Sequence, residues 1–221
     1  MPYRTPPAME AQKEARRQQI MEAATSVFAG KGYHATTIRD IVEAAGVSVG
    51  SFYFYFASKE DLFETLYGQL NDQFLSVLGR AAGELKQDPC DGLAAAVART
   101  LRLMNERRAA SRLLIADSTG IHPDFERKRL ENNERFYTIL VDLLEGLAQS
   151  GLIQCDNANL AARSLMGGLY NTCLGYLEGQ GGNLSMADFV YAACVYHLRG
   201  LGLAFEPARV RATIEQVLRE E

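Results

Sequence analysis

The chain has no tryptophan, and its 221 residues include only three histidines, four cysteines and six prolines. His34, His122 and His197 stand far apart, and no H-x-x-x-H pair, G-x-S-x-G elbow or phosphate-cradling loop accompanies them. Nucleophilic and metal-assisted catalysis need such groups at set spacings. No enzymatic activity, cofactor or metal is therefore expected. Cys90, Cys155, Cys173 and Cys194 form no C-x-x-C pair, and three of them lie in apolar helical runs, where a free thiol is a small core residue. A secretory signal and an apolar run long enough to span a bilayer are also missing. A reduced, cytoplasmic setting is the expectation. Little alternation of β-branched residues occurs, which removes the usual signal for strands. Ala and Leu dominate instead, and the expected fold class is all-α.

Nearly half of the residues are hydrophobic and 23% are charged, the composition of an ordinary globular chain. The formal charge of −4 is unevenly spread. Residues 1–39 hold six Lys/Arg (Arg4, Lys13, Arg16, Arg17, Lys31, Arg39) against Glu10, Glu14 and Glu22, a local +3 that leaves −7 for the remainder. A mildly basic end on an acidic body suits a protein that presents one face to phosphates. A general architectural DNA coat would be basic throughout.

The most informative stretch is 37–59. Thr37 precedes Asp40 by three residues, the spacing of a capping box, so a helix should begin there. Ile38, Ile41, Val42 and Ala45 recur at helical spacing as its inner face. Gly46 follows as the residue best suited to the left-handed turn after a helix. Ser48 is placed to cap a second helix over about 49–54. Two short helices joined by a tight turn form a helix-turn-helix, whose second helix enters the DNA major groove.

The run from Thr36 to Ile41, then Ala45 to Ser51, then Tyr53 to Glu60, resembles the TetR family of one-component transcriptional regulators. The resemblance covers about residues 15–65 at the level of motifs; beyond that it rests on length and helical pattern. It implies a small N-terminal DNA-binding domain (1–61) followed by a larger helical ligand-binding and dimerisation domain (62–221). It also implies a homodimeric repressor that a small effector releases from a palindromic operator. Activation, or regulation without a small molecule, stays open as the alternative.

Candidate DNA contacts follow from residue type. Arg39 is long enough to reach a guanine edge. Val49 can pack on a thymine methyl, Gly50 lets backbone approach closely, and Ser51 donates or accepts. Tyr53, Thr37 and Lys59 are candidates for phosphate, with Ser48 beside them as the cap. Tyr55 is open between phosphate and core, whereas Phe52 and Phe56 are expected in the core.

Elsewhere, residues 1–10 read as an arm and a first helix as spanning about 11–29. A long helix is expected over about 59–85, and helices after Asp88-Pro89, across 107–118, and from Pro123 to about Gln149. Three more are expected over about 158–178, 186–202 and from Pro207. In the larger domain Asn133 interrupts the apolar stripe Leu130, Tyr137, Leu140, Leu144, Leu147, and burying a lone amide is costly. It joins Met104, Ile115, Phe125, Phe136 and Tyr137 as candidate pocket lining. Met166, Tyr170, Asn171 and Cys173 on the next helix extend that set toward an apolar or amphipathic effector. The last two long helices are apolar on more than one face. Leu165, Leu169, Tyr176, Phe189, Val190, Ala193 and His197 are the candidates for a partner-subunit face.

Overall fold

The computed structural model describes residues 7–113 and 121–220, and every regular element among them is helical. They are α1 (Pro7–Lys31), α2 (Ile38–Ala45), α3 (Val49–Tyr55), α4 (Lys59–Gln87), α5 (Pro89–Glu106), α6 (Arg108–Ser111), α7 (Pro123–Gln149), α8 (Ala158–Leu177), α9 (Met186–Gly200) and α10 (Pro207–Arg219). α1 starts four residues before the expected Ala11, so part of the supposed arm is helical. Arg4 and the lining candidate Ile115 lie outside the described residues, as does much of the helix expected across 107–118.

Residues group into two compact units. The first comprises Met1–Leu70 with Ala109–Phe125, the second Asn71–Arg108 with Glu126–Glu221. Sequence placed a boundary after 61. The grouping keeps the first turns of α4 with the first unit, because Leu62, Phe63, Leu66 and Tyr67 are buried there.

The first unit is built on Ile20, Met21, Ala24 and Phe28 of α1, all but inaccessible. Phe28, Tyr33, Phe63, Phe125 and Tyr67 follow one another at centroid separations of 4.9–5.7 Å, edge to face except for the tilted Phe28–Tyr33 pair. Such edge-to-face pairs add to area burial because ring edges meet ring faces. Phe125, expected to line a pocket, is fully buried in this ladder. His122 caps α7: its Nδ1 accepts from the Phe125 amide at 3.2 Å. Its Nε2 faces Glu64 at 3.5 Å.

In the second unit α5 packs on α10, α9 and α8. Asp88 caps α5 by accepting from the Cys90 and Asp91 amides at 2.9 and 3.0 Å, with Pro89 at the first helical position. Arg209 of α10 reaches back to both Asp88 and Asp91. The backbone amide of Asp91 and the Arg209 charge hold the Asp88 carboxyl below the usual carboxylate range, although burial opposes them.

His197 of α9 is buried against α8, where a Cβ on Gly168 would stand 3.0 Å from its Cε1. Burial lowers its pKa from 6.5, since the charged ring is costly to desolvate. The unfolded chain then binds this proton more readily than the folded one. Stability should fall as pH drops through 6.5 toward the lower folded value. Urea midpoints at pH 7.5 and 5.5 check this: His197→Gln should flatten the dependence, and an unchanged slope would assign it to other groups.

Candidate nucleic-acid interface

α2 starts as the capping box requires. Thr37 Oγ1 accepts from the Asp40 amide at 3.2 Å, and Asp40 Oδ2 accepts from the Thr37 amide at 2.9 Å. Thr37 Oγ1 also donates to Asp40 Oδ2 at 2.8 Å, so its one hydroxyl proton is already committed. That leaves Thr37 as a cap rather than a phosphate donor. Asp40 is held well below the usual carboxylate range by the Lys31 ammonium, then by the Thr37 amide and hydroxyl. Gly46 closes the helix at φ 65°, ψ 35°, a conformation that a Cβ disfavours. Gln19 of α1 donates to the Ala45 carbonyl at 2.7 Å, which satisfies one of the carbonyls a helix end leaves free.

Ser48 Oγ caps α3 by accepting from the Ser51 amide at 3.1 Å. Phe52 and Phe56 turn inward and are buried, as their apolar character demands. The opposite face of α3 is open: Val49 is 48% exposed, Tyr53 55% and Phe54 62%, with Gly50 exposed between them. Ser51 and Tyr55 are half-buried at the margins. A folded domain rarely leaves such side chains in water on one short helix, and here they share the side available to a groove. Arg39 projects from α2 at 84% side-chain exposure, held only by a surface pair to Glu43 at 3.0 Å. Such a pair contributes little and breaks easily, so the guanidinium can move to another acceptor.

Lys59 has a different task from the one expected. Its Nζ donates to the Tyr33 and Thr36 carbonyls at 2.9 Å each and sits 4.3 Å from the Tyr33 ring centroid. It ties the start of α4 to the loop before α2. The pairing joins residues 23 and 26 apart, so no local sequence signal marks it. Lys59→Met should cost about 1.5–3 kcal/mol, the range for hydrogen bonds to a charged group. Thermal unfolding measures this; an unchanged midpoint with a weaker salt dependence of DNA binding would restore the phosphate reading. Sequence reasoning also missed Phe54, although five aromatic residues in a row from Phe52 to Phe56 cannot all face inward.

In the second unit the expected lining residues differ in burial. Met104 and Cys173 are buried, and burial pushes the Cys173 thiol up to about 12. Asn133, Phe136, Tyr137 and Met166 are half-buried. Arg163 lies 4.6 Å from the Tyr137 ring centroid. Tyr170 and Asn171 are exposed. The inner face of α8 is Ala162, Leu165, Cys173 and Leu177, and Asn171 stands about 200° round the helix from Cys173. Of the partner-face candidates, Leu165, Val190 and His197 are buried within the single chain and have little surface left to give. Leu169, Phe189, Tyr176 and Ala193 are half-buried, with Tyr176 and Phe189 stacked on each other at 4.8 Å. The strongly exposed apolar residues of these helices are Leu160 (64%), Tyr170 and Tyr196 (75%).

Residues 20–66 match the family model described as bacterial regulatory proteins, tetR family. The chain is similar to the transcriptional repressor KstR2 of Rhodococcus jostii, 45% identical over 71 residues, which are 31% of this chain and 35% of the relative. It spans only 35–38% of the length of the first curated relatives it matches. Among solved structures, a Mesorhizobium loti protein described as a TetR-family transcriptional regulator superposes with a TM-score of 0.63 at 27% identity, covering 85% of this chain and 97% of that one. FadR of Bacillus subtilis, solved with stearoyl-CoA, gives a TM-score of 0.63 at 21% identity over 91% of this chain and 97% of its own, a likeness of fold. These relatives are regulators rather than enzymes. With its capped helix-turn-helix and open α3 face, the segment 20–66 of this chain belongs with the bacterial regulatory proteins of the tetR family.

Proposed function

We propose that the chain is a homodimeric repressor whose α3 helices read a palindromic operator, and that an apolar or amphipathic effector bound by the larger domain releases it. The observation that carries the DNA-reading part is the exposed Val49–Gly50–Tyr53 face on a helix whose other side, Phe52, is buried. Base readout rests on this face and on Arg39; Tyr53 and Ser48 supply phosphate contacts, with Ser51 and Tyr55 at the edge. Two-fold pairing would set two such helices about one helical turn apart on DNA. Such a regulator works in the cytoplasm.

The partner face is assigned to Leu160, Tyr170 and Tyr196, the apolar residues that α8 and α9 leave in water. Small residues beside them, Gly167 and Ala192, would let two helix pairs approach closely. Tyr196→Arg should raise the dimer dissociation constant about thirtyfold or more, the effect of losing a central anchor residue. Sedimentation velocity reads it, and an unaltered sedimentation coefficient would move the interface elsewhere.

The effector class is supported by the half-buried Asn133, Phe136, Tyr137 and Met166 of the second unit, an amide and a hydroxyl among apolar groups, and by the fold likeness to FadR, which was solved with stearoyl-CoA. A ligand shifts the regulator off DNA only by favouring the non-binding state. The test is transcription in vitro from a promoter carrying a duplex that the protein selects from a random pool. The protein should lower transcript yield, and one of a series of acyl-CoA thioesters from four to eighteen carbons should restore it. Raised yield would make it an activator; repression unmoved by the whole series would reject this effector class.

A further inference from the structure

We propose that Phe54 is a positioning residue that holds the Lys13 ammonium beside α3 as a clamp for the DNA phosphodiester backbone, which makes α1 part of the interface. The inference rests on the DNA-binding reading above. Lys13 Nζ lies 4.9 Å from the centroid of the Phe54 ring, within the range of a cation–π contact. Four residues later, Arg17 Cζ lies 5.5 Å from the Phe56 ring. α1 therefore sets two cations, one turn apart, on two aromatic rings at the end of α3. The two pairs differ in one respect. The Phe56 ring is 2% exposed, so Arg17 is tied to the core and fixes the rotation of α1. The Phe54 ring is 62% exposed, so Lys13 rests on a ring that is itself in water.

Among the described residues Lys13 makes no ion pair, whereas Arg17 is paired with Glu14 at 3.4 Å. A ring face attracts the ammonium but accepts none of its three hydrogen bonds in full strength, so they stay available to phosphate oxygens. A lysine stem is otherwise freely rotating and loses that freedom on binding. Resting it on the ring beforehand lowers the entropic cost of docking. Phe54 thus has a reason to stay in water on the helix that faces DNA, which core packing does not supply.

The probe is a duplex selected by the wild-type protein from a random-sequence pool, with affinity read by fluorescence anisotropy from 50 to 300 mM salt. Lys13→Gln should lower the slope of log K against log salt by about 0.9 per bound chain, the loss of one phosphate contact. Phe54→Leu should weaken binding about two- to fivefold, the worth of an exposed cation–π contact, and should do nothing further once Lys13 is Gln. Phe54→Tyr should restore the affinity. Thermal midpoints of all variants should match the wild type within a degree or two. Equal losses from Phe54→Leu in both backgrounds would mean that the ring touches DNA itself, and would overturn the proposal. An unchanged salt slope in Lys13→Gln would overturn it too. If the wild type enriches no sequence from the pool, the DNA-binding reading fails first, a result distinct from either of these.

Discussion

Gly92→Ala should destabilise the second unit by about 3 kcal/mol or more, the upper end of the cost of forcing atoms into a packed site. A Cβ built on Gly92 stands 2.5 Å from the Leu85 amide nitrogen, 2.7 Å from Leu85 Cα and 2.8 Å from the Glu84 carbonyl carbon. All three are backbone atoms of the last turns of α4, so no side chain can swing aside. The first turn of α5 must move away from α4, and the Asp88 cap stands between them. Asp88 accepts from the Cys90 and Asp91 amides with its side chain and from the Gly92 amide with its carbonyl at 2.9 Å. Displacing the turn weakens all three together. In a chain of this size the loss corresponds to roughly 6–12 °C in thermal midpoint. Gly83→Ala on α4 is the control, because a Cβ there meets nothing within 4 Å. It should be neutral or stabilising by up to about 1 kcal/mol, as helix propensity dictates. Equal midpoints for the two variants would show that α4 and α5 tolerate separation.

Gly50→Ala should do the reverse, preserving the fold and impairing DNA binding. A Cβ at Gly50 would meet only Ser48 Oγ, at 3.9 Å, and the residue lies within a helix rather than in a left-handed turn. Nothing in the chain itself calls for glycine, and alanine should raise stability by up to about 1 kcal/mol. If the backbone of α3 lies against DNA, the added methyl group should weaken operator binding about tenfold, within the 1–3 kcal/mol of a lost specific contact. Anisotropy and thermal unfolding on the same preparation separate the two effects. A more stable protein with undiminished affinity would show that Gly50 does not approach the duplex.

These two glycines show what sequence can and cannot convey. The caps of the helix-turn-helix were legible, because Thr37 with Asp40, Gly46 and Ser48 act over three or four residues and each type has one chemical reason to be there. Asp88-Pro89 and Pro123 were legible on the same ground. Lys59 was not: as a lysine in the first turn of a helix it reads as a solvent-exposed cation, and only the fold brings the Tyr33 and Thr36 carbonyls to it. Gly92 gives no local signal either, since close approach to Leu85 depends on how one helix follows another. α8 and α9 failed for a different reason. Both are apolar on two sides, and hydrophobicity alone does not say which side is covered by the chain's own helices. Val190 and His197 proved to be inside, and Tyr170 and Tyr196 outside.

The measurement that tests the account most directly compares two duplexes, one selected by the protein and one of the same composition scrambled. Each is titrated by fluorescence anisotropy at several salt concentrations. A regulator that reads bases through the α3 face should prefer the selected duplex by about a thousandfold or more. That preference should persist as salt lowers both affinities, because counterion release is common to the two. Binding that is equal on both duplexes and vanishes together with rising salt would contradict it, leaving α3 with phosphate contacts alone.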